Sequence, residues 1–281
     1  MAESDIFYKE IFSLYGSVKR ARGPFLYTQK GIRLTDLYQE GGRAILGWGG
    51  TSAFTMLKNT LNRGICGSFE TGFASRLKKA VEDLFVSERE VFVFYSKAQA
   101  VKAALLLSSD GTNFYKPWSS SEIKWADLPC IVFAPPLPWC QSIYILAADS
   151  SLVSKFREII LSSLSEERKA LFSDSDLFPG SEILPAPLYA ALARSIYDLR
   201  KALQERKEAD WFIYDTVISK YWERKGPYLF PKVPKEKYRD FILHCLKLGL
   251  FISPDYNTPS IVPFGADKGV FTCLKNSPFD F

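Results

Sequence analysis

The sequence predicts an α/β protein, and three stretches carry that prediction. The first is Pro129 to Asp149, PCIVFAPPLPWCQSIYILAAD. It holds two apolar runs, Ile131–Ala134 and Ile143–Ala148, joined by a proline-rich turn. Each run is short, β-branched or aromatic and bounded by breakers, the pattern of a strand buried on both faces. The second stretch is Phe69 to Ser108, which reads as helix, strand, helix: Phe73, Leu77, Val81 and Leu84 form one apolar stripe, Val91–Tyr95 a strand, and Ala98–Leu107 an alanine-rich helix. The third is Leu188–Lys207, a long alanine- and leucine-containing helix. With 281 residues, 47% of them apolar and 24% charged, the chain can bury a core large enough to hold such layers.

The remaining elements follow in order. Residues 4–18 predict a short amphipathic helix through Ile6, Phe7, Ile11, Leu14 and Tyr15. Phe25–Tyr27 and Ile32–Leu37 flank Gln29-Lys30-Gly31, a hairpin signal. The glycine-dense GGRAILGWGG marks a chain that needs positive φ or passes close to other backbone. Ala53–Arg63 reads as a helix, Ser108–Leu128 as a polar and aromatic loop, and Ser151–Leu164 and Glu166–Phe172 as helices. After the loop SDSDLFPGSEILPAP and the long helix, Trp211–Trp222 is expected to continue helically until Gly226-Pro227. Tyr238–Leu248 is a helix stopped by Gly249, and LFISPDYNTPSIVPF gives a strand, a turn and a strand.

Composition narrows the function classes. Five scattered cysteines without a CxxC pair read as reduced structural thiols, not as a disulfide framework or zinc site. His244 is the only histidine and lies in the apolar helical pattern FILHCLKLGLF, where a hydrogen-bonded structural role is expected. The net charge of +5 is mild, its densest basic stretches, Lys19–Arg22 and Arg76–Lys79, are short, and no recognisable module accompanies them; no nucleic-acid partner is expected. No apolar run reaches membrane-spanning length and MAESDIFYKE lacks the pattern of a signal peptide, so a cytoplasmic protein without membrane association is expected.

PFLYTQKGIRLTDLYQEGGRAILGWGG resembles the opening segment of class III (fold type I) pyridoxal-phosphate aminotransferases, in which a hairpin leads to a glycine-histidine pair. Here Trp48, within Gly47-Trp48-Gly49, stands where the family has histidine. The helix–strand–helix unit is similar to the family's next passage, which ends in Ser-Gly-Ser/Thr-Glu-Ala at the cofactor phosphate. The corresponding residues are Ser96-Lys97-Ala98-Gln99-Ala100, with Lys97 in the glycine position. Lys97 admits two readings, a cation reinforcing an anion site or a solvated lysine tolerated once glycine was no longer required. The helix dipole, unfavourable to a cation at this end, favours the second. CIVFAPPLPWCQSIYILA resembles the family's lysine strand and the strand after it, with Pro135 or Pro136 at the lysine position. Proline has no amine, so no internal Schiff base forms there. Lys155, the nearest downstream lysine, lies in a helical pattern that turns it to solvent, and neither Asp110 nor Asp127 is assigned the pyridinium role.

The resemblance implies a reduced fold type I scaffold, a mixed sheet flanked by helices with an α+β small lobe. Its implied division is residues 1–50 as an N-terminal segment of the small lobe, 51–190 as a shortened large domain and 191–281 as the C-terminal small domain. The functional expectation is a pseudoenzyme: a non-catalytic binding or protein-interaction module with no catalytic residue, no metal and no cofactor. Its expected partners are a second copy in a homodimer, and a full-length aminotransferase or pathway enzyme. The alternative is a small-molecule binder or transferase that reuses the remnant cleft for a pyridoxal-phosphate-like or other anionic ligand. Ser96, Lys97 and Gln99 would form its phosphate-side helix start, and Trp48, Trp139 and Cys140 its lining.

Overall fold

The computed structural model describes residues 3–49, 52–108, 112–119, 122–163, 165 and 181–281. Asp110 and the expected helix Glu166–Phe172 lie outside the described residues. In chain order the elements are α1 (Glu3–Tyr15), β1 (Val18–Arg22), β2 (Phe25–Thr28), β3 (Arg33–Asp36), α2 (Ser52–Asn62), α3 (Phe73–Phe85), β4 (Arg89–Phe94), α4 (Lys97–Leu107), β5 (Asn113–Phe114), β6 (Cys130–Phe133), β7 (Tyr144–Asp149) and α5 (Ser150–Ser163). They continue with α6 (Ala186–Glu205), α7 (Glu208–Phe212), α8 (Asp215–Ile218), β8 (Trp222–Lys225), β9 (Tyr228–Pro231), α9 (Tyr238–Lys247), β10 (Leu250–Phe251), β11 (Ser260–Ile261) and α10 (Thr272–Asn276). Two compact units result, one of residues 52–201 and one of residues 1–51 with 202–281.

The 52–201 unit is a mixed sheet between two layers of helices. Its strand order is β4-β7-β6-β5; β7 runs antiparallel to both neighbours and β5 parallel to β6. The period-two alternation sends Val93, Ile131, Phe133, Ile145 and Ala147 to one face, against Ala53 of α2, Leu77 and Val81 of α3, and Ala191, Leu192 and Ile196 of α6. Phe92, Phe94, Cys130, Val132, Leu146 and Ala148 point the other way, onto Ala100, Ala103 and Ala104 of α4 and Val153 of α5. Both predicted central strands are therefore buried on both faces, as the unbroken apolar runs required.

Arg89 is a buried charge at the far end of this sheet, with 0% of its surface exposed. Its guanidinium donates to the carbonyls of Trp125, Ala126 and Leu128, with a longer bond to Pro129, while Nε donates to the Ser87 hydroxyl 2.8 Å away. A five-donor fork is the one side chain that can satisfy so many carbonyls at once. The single turn of 3₁₀ helix at Trp125–Asp127 is thereby fixed in front of β6. Loop was expected throughout Ser108–Leu128; besides this turn the segment supplies β5, whose two residues are too few to leave a pattern and exist only through pairing with Ile131 and Val132.

In the other unit the predicted hairpin forms, with Leu26 opposite Leu34 and Gly31 at φ +81° in its turn. β10 adds in parallel beside β3, pairing Leu250 with Thr35, and Gly249 ends α9 at φ +79°. The expected helix Trp211–Trp222 is instead two short helices, α7 and α8, followed by β8. Gly226-Pro227 is the turn of a β8–β9 hairpin, not a helix stop. The glycine-dense segment behaves as its composition implied: Gly47 has φ +99°, and a Cβ there would lie 3.3 Å from the Cα of Gly23.

Asp36 organises that segment. One carboxylate oxygen accepts from the amides of Tyr38 (2.9 Å) and Gln39 (2.8 Å), the other from the Trp48 indole at 2.6 Å. Gln39 and Glu40 both stand in the left-handed region at φ 48° and 52°, a strain of about 1 kcal/mol or more each that the carboxylate offsets. Burial lifts the Asp36 pKa to about 6, and the bonds from Gln39, Trp48 and Tyr38 limit the rise.

Three outcomes are expected. Arg89→Met leaves several buried carbonyls without donors and should cost about 3 kcal/mol or more in urea unfolding, with Arg89→Lys recovering only part. Val86, 83% exposed and left-handed at φ 56° where it closes α3, should become more stable as glycine by about 1 kcal/mol, read as a raised Tm. Asp36 holds its proton in the folded state up to about pH 6 but releases it near pH 4 when unfolded. The native state therefore binds more protons in that window, and stability falls as pH rises through it. Asp36→Asn should gain roughly 2–3 kcal/mol relative to wild type between about pH 4 and 6, measured by unfolding at each pH.

Candidate functional site

β4 and β6 run parallel, separated by the antiparallel β7, so the segments that follow them emerge at one edge of the sheet, together with the one after β5. Ligands of open α/β sheets bind at this carboxyl edge. After β4 the chain turns at Ser96, extended at φ −132°, into α4. The Ser96 hydroxyl makes no cap hydrogen bond, and the first turn of α4 carries no acidic residue. Lys97 and Gln99 are exposed. The Lys97 ammonium sits 4.2 Å from the centroid of the Phe114 ring, a cation–π contact between the helix start and β5. Lys116, two residues past Phe114, is exposed, and partial desolvation followed by the Lys97 charge pulls its pKa down. Two ammonium groups thus face one region. Lys116 and Phe114 escaped the sequence reading because their position depends on β5.

After β6 the chain enters Ala134–Ser142. Pro135, Pro136, Leu137 and Pro138 are buried, Trp139 packs against the core on the α2–α3–α6 side, and Cys140 is exposed. No residue between Pro129 and Asp149 carries an amine. Trp48 belongs to the other unit, where its indole is committed to Asp36 and its ring lines a cavity of about 370 Å³ with Tyr8, Ile11, Val18 and Leu26. The six sequence-predicted residues are therefore divided: Ser96, Lys97 and Gln99 at the α4 start, Trp139 and Cys140 in the β6–β7 turn, and Trp48 in a separate unit.

Two of the cysteines and the histidine have structural roles. Cys130 and Cys245 are buried, and burial pushes the Cys130 thiol up to about 11 and that of Cys245 well above its ordinary value, which keeps both protonated. His244 Nε2 donates to the Ser277 carbonyl at 2.9 Å, and its ring lies 5.5 Å from Phe279, the hydrogen-bonded structural histidine its sequence context implied. Lys155 and Asp127 are exposed. Among the described residues, no three His, Cys, Asp or Glu side chains gather as metal ligands, and no helix is long and apolar enough to cross a membrane.

No protein-family profile matches the sequence. An uncharacterized protein of Treponema pallidum is 28% identical over 290 aligned positions, covering 92% of each chain. Another, of Borreliella burgdorferi, is 27% identical over 93% of this chain and 90% of its own. Among solved structures, the omega-transaminase of Sphaerobacter thermophilus superposes with a TM-score of 0.63 at 10% identity, over 98% of this chain and 97% of its own. The ornithine delta-aminotransferase of Plasmodium falciparum gives 0.61 at 10% identity with the same coverage. A glutamate-1-semialdehyde-aminomutase of Pseudomonas aeruginosa gives 0.61 at 8%, over 92% and 85%. At such identities the likeness is one of backbone, and what it establishes is that this chain has the fold type I aminotransferase fold implied by its sequence resemblance.

Proposed function

We propose that the chain is a non-catalytic protein of the aminotransferase fold that works as a binding or protein-interaction module. One observation carries the reading: the turn after β6, where the resemblance locates the Schiff-base lysine, runs through buried Pro135 and Pro136 and holds no amine. Pyridoxal phosphate is anchored in such enzymes as a Schiff base of a lysine at this position, and the residues present do not fit that anchoring. The glycine position at the α4 start is likewise filled by Lys97, whose ammonium is engaged over Phe114. On this reading the protein is cytoplasmic, needs no cofactor and recognises a second copy of itself, and an aminotransferase or pathway enzyme is the further partner. Phe12, Phe69 and Phe212, each more than half exposed, supply aromatic surface for contacts of this kind.

The second reading, an anionic small molecule held at the carboxyl edge, is favoured by the convergence of Lys97 and Lys116 on one region. Both readings are tested by titrating the purified protein with pyridoxal phosphate, followed by borohydride reduction and intact mass. The expected result is no aldimine band and no trapped adduct. A single cofactor trapped at one lysine overturns the first reading. Calorimetric titration with inorganic phosphate, saturable in wild type and lost in Lys97→Ala, would select the second. Light scattering on a sizing column should report twice the 31.9 kDa chain mass.

A further inference from the structure

β1, β2 and β3 carry a surface whose composition is invisible in the linear order of residues. Strand register puts Ala21, Leu26 and Leu34 on the inner face, where Ala21 and Leu26 line the apolar cavity beside α1. The outer face then receives two cross-strand rows. Arg20, Tyr27 and Arg33 form one, and Arg22, Phe25 and the buried Thr35 the other. Every arginine in these rows is exposed, and the two rings are half-buried.

Cation–π contacts join these residues within and between the rows. The Arg20 guanidinium lies 5.5 Å from the Tyr27 ring centroid, and that of Arg33 lies 4.5 Å over Phe25. Among the described residues, none of Arg20, Arg22 and Arg33 makes an ion pair with a carboxylate. Phe25 and Arg33 also floor an open depression of about 560 Å³, walled by the loop from Gly265 to Val270. The one acid of that wall, Asp267, is occupied as a cap, with Oδ1 accepting from the Gly269 amide at 2.7 Å. Three cations that make no ion pair among the described residues, interleaved with two rings on a sheet face, combine the two elements that single-strand binding needs: phosphate pairing and flat surfaces for bases.

We propose that the outer face of β1–β2–β3 binds single-stranded nucleic acid. Arg20, Arg22 and Arg33 pair with phosphates, while bases stack on Tyr27, Phe25 and the guanidinium planes above them. Adjacent strands are about 4.8 Å apart, so the Arg20–Tyr27–Arg33 row spans roughly 10 Å, and sheet platforms stack two or three bases in this manner. A duplex keeps its bases stacked on one another and cannot offer them to such a face. An acidic protein would engage the cations but gain nothing from the rings. The short basic run Lys19–Arg22 gave no nucleic-acid expectation by itself; its meaning changes once register sets Arg20 and Arg22 beside the rings of β2.

The test is fluorescence anisotropy of the full chain with labelled oligouridylate and oligothymidylate of about twelve nucleotides, against a duplex of equal length and polyglutamate. Saturable binding of either single strand, stronger than that of the duplex and polyglutamate, is expected. Affinity should fall roughly 20-fold between about 50 and 200 mM salt, as for three neutralised phosphates. Arg33→Gln should reduce the salt slope by about 0.7, whereas Lys79→Gln on the exposed side of α3 leaves it unchanged. Tyr27→Leu should weaken binding roughly tenfold without altering the slope. Each variant is first shown to melt as wild type does; should Tyr27→Leu fail, Arg20→Gln and Arg33→Gln decide. Absence of binding at low salt, equal affinity for duplex or polyglutamate, or equal losses in Arg33→Gln and Lys79→Gln would overturn the proposal.

Discussion

The 52–201 unit depends on the pairing of β7 with a strand on each side. Its backbone is hydrogen-bonded to β4 over six residue pairs and to β6 over four, and Ile145, Leu146, Ala147 and Ala148 are fully buried between the helix layers. A strand enclosed in this way can carry no functional polar group, because each would need a buried partner. Polar chemistry is thereby driven to the strand ends. At one end Arg89, in register with Asp149, is spent on the carbonyls in front of β6. At the other end the chain has placed prolines, Trp139 and a pair of lysines.

Where one element dictates its own pattern, the sequence is legible. β6 and β7 could be read because burial on both faces demands an unbroken apolar run, and α3 because its Leu77–Val81–Leu84 stripe has no other use. β5 could not, since Asn113 and Phe114 become a strand only by lying beside Ile131 and Val132. Trp222–Pro231 misled for a different reason: Gly226-Pro227 breaks a helix and turns a hairpin equally well, and the alternation around it is only four residues long on each side. The strands near the C-terminus were found, but not their destinations; β10 joins β3 and β11 joins β9. The candidate site suffered most from this limit. Lys97 was visible as a departure from a motif, whereas its neighbour Lys116 and the ring beneath it are brought there by a pairing that no local pattern encodes.

The same division separates what holds the backbone from what fills the strand ends. Residues that hold the sheet are interior and mutually constrained, so a volume change at Ile131 or Leu146 is felt by several helices at once. At the carboxyl edge Lys97, Gln99 and Cys140 are exposed, whereas Pro135, Pro136 and Pro138 are buried. A change at an exposed position such as Lys97 is felt by far fewer core residues than one at Ile131 or Leu146, and the turn after β6 is filled by proline. Proline there has a structural benefit of its own: Pro135 and Pro136 are buried in a turn whose amides would otherwise need acceptors, and removing those donors makes the burial cheaper. The prolines that leave this turn without an amine are therefore also residues that suit a closed sheet edge.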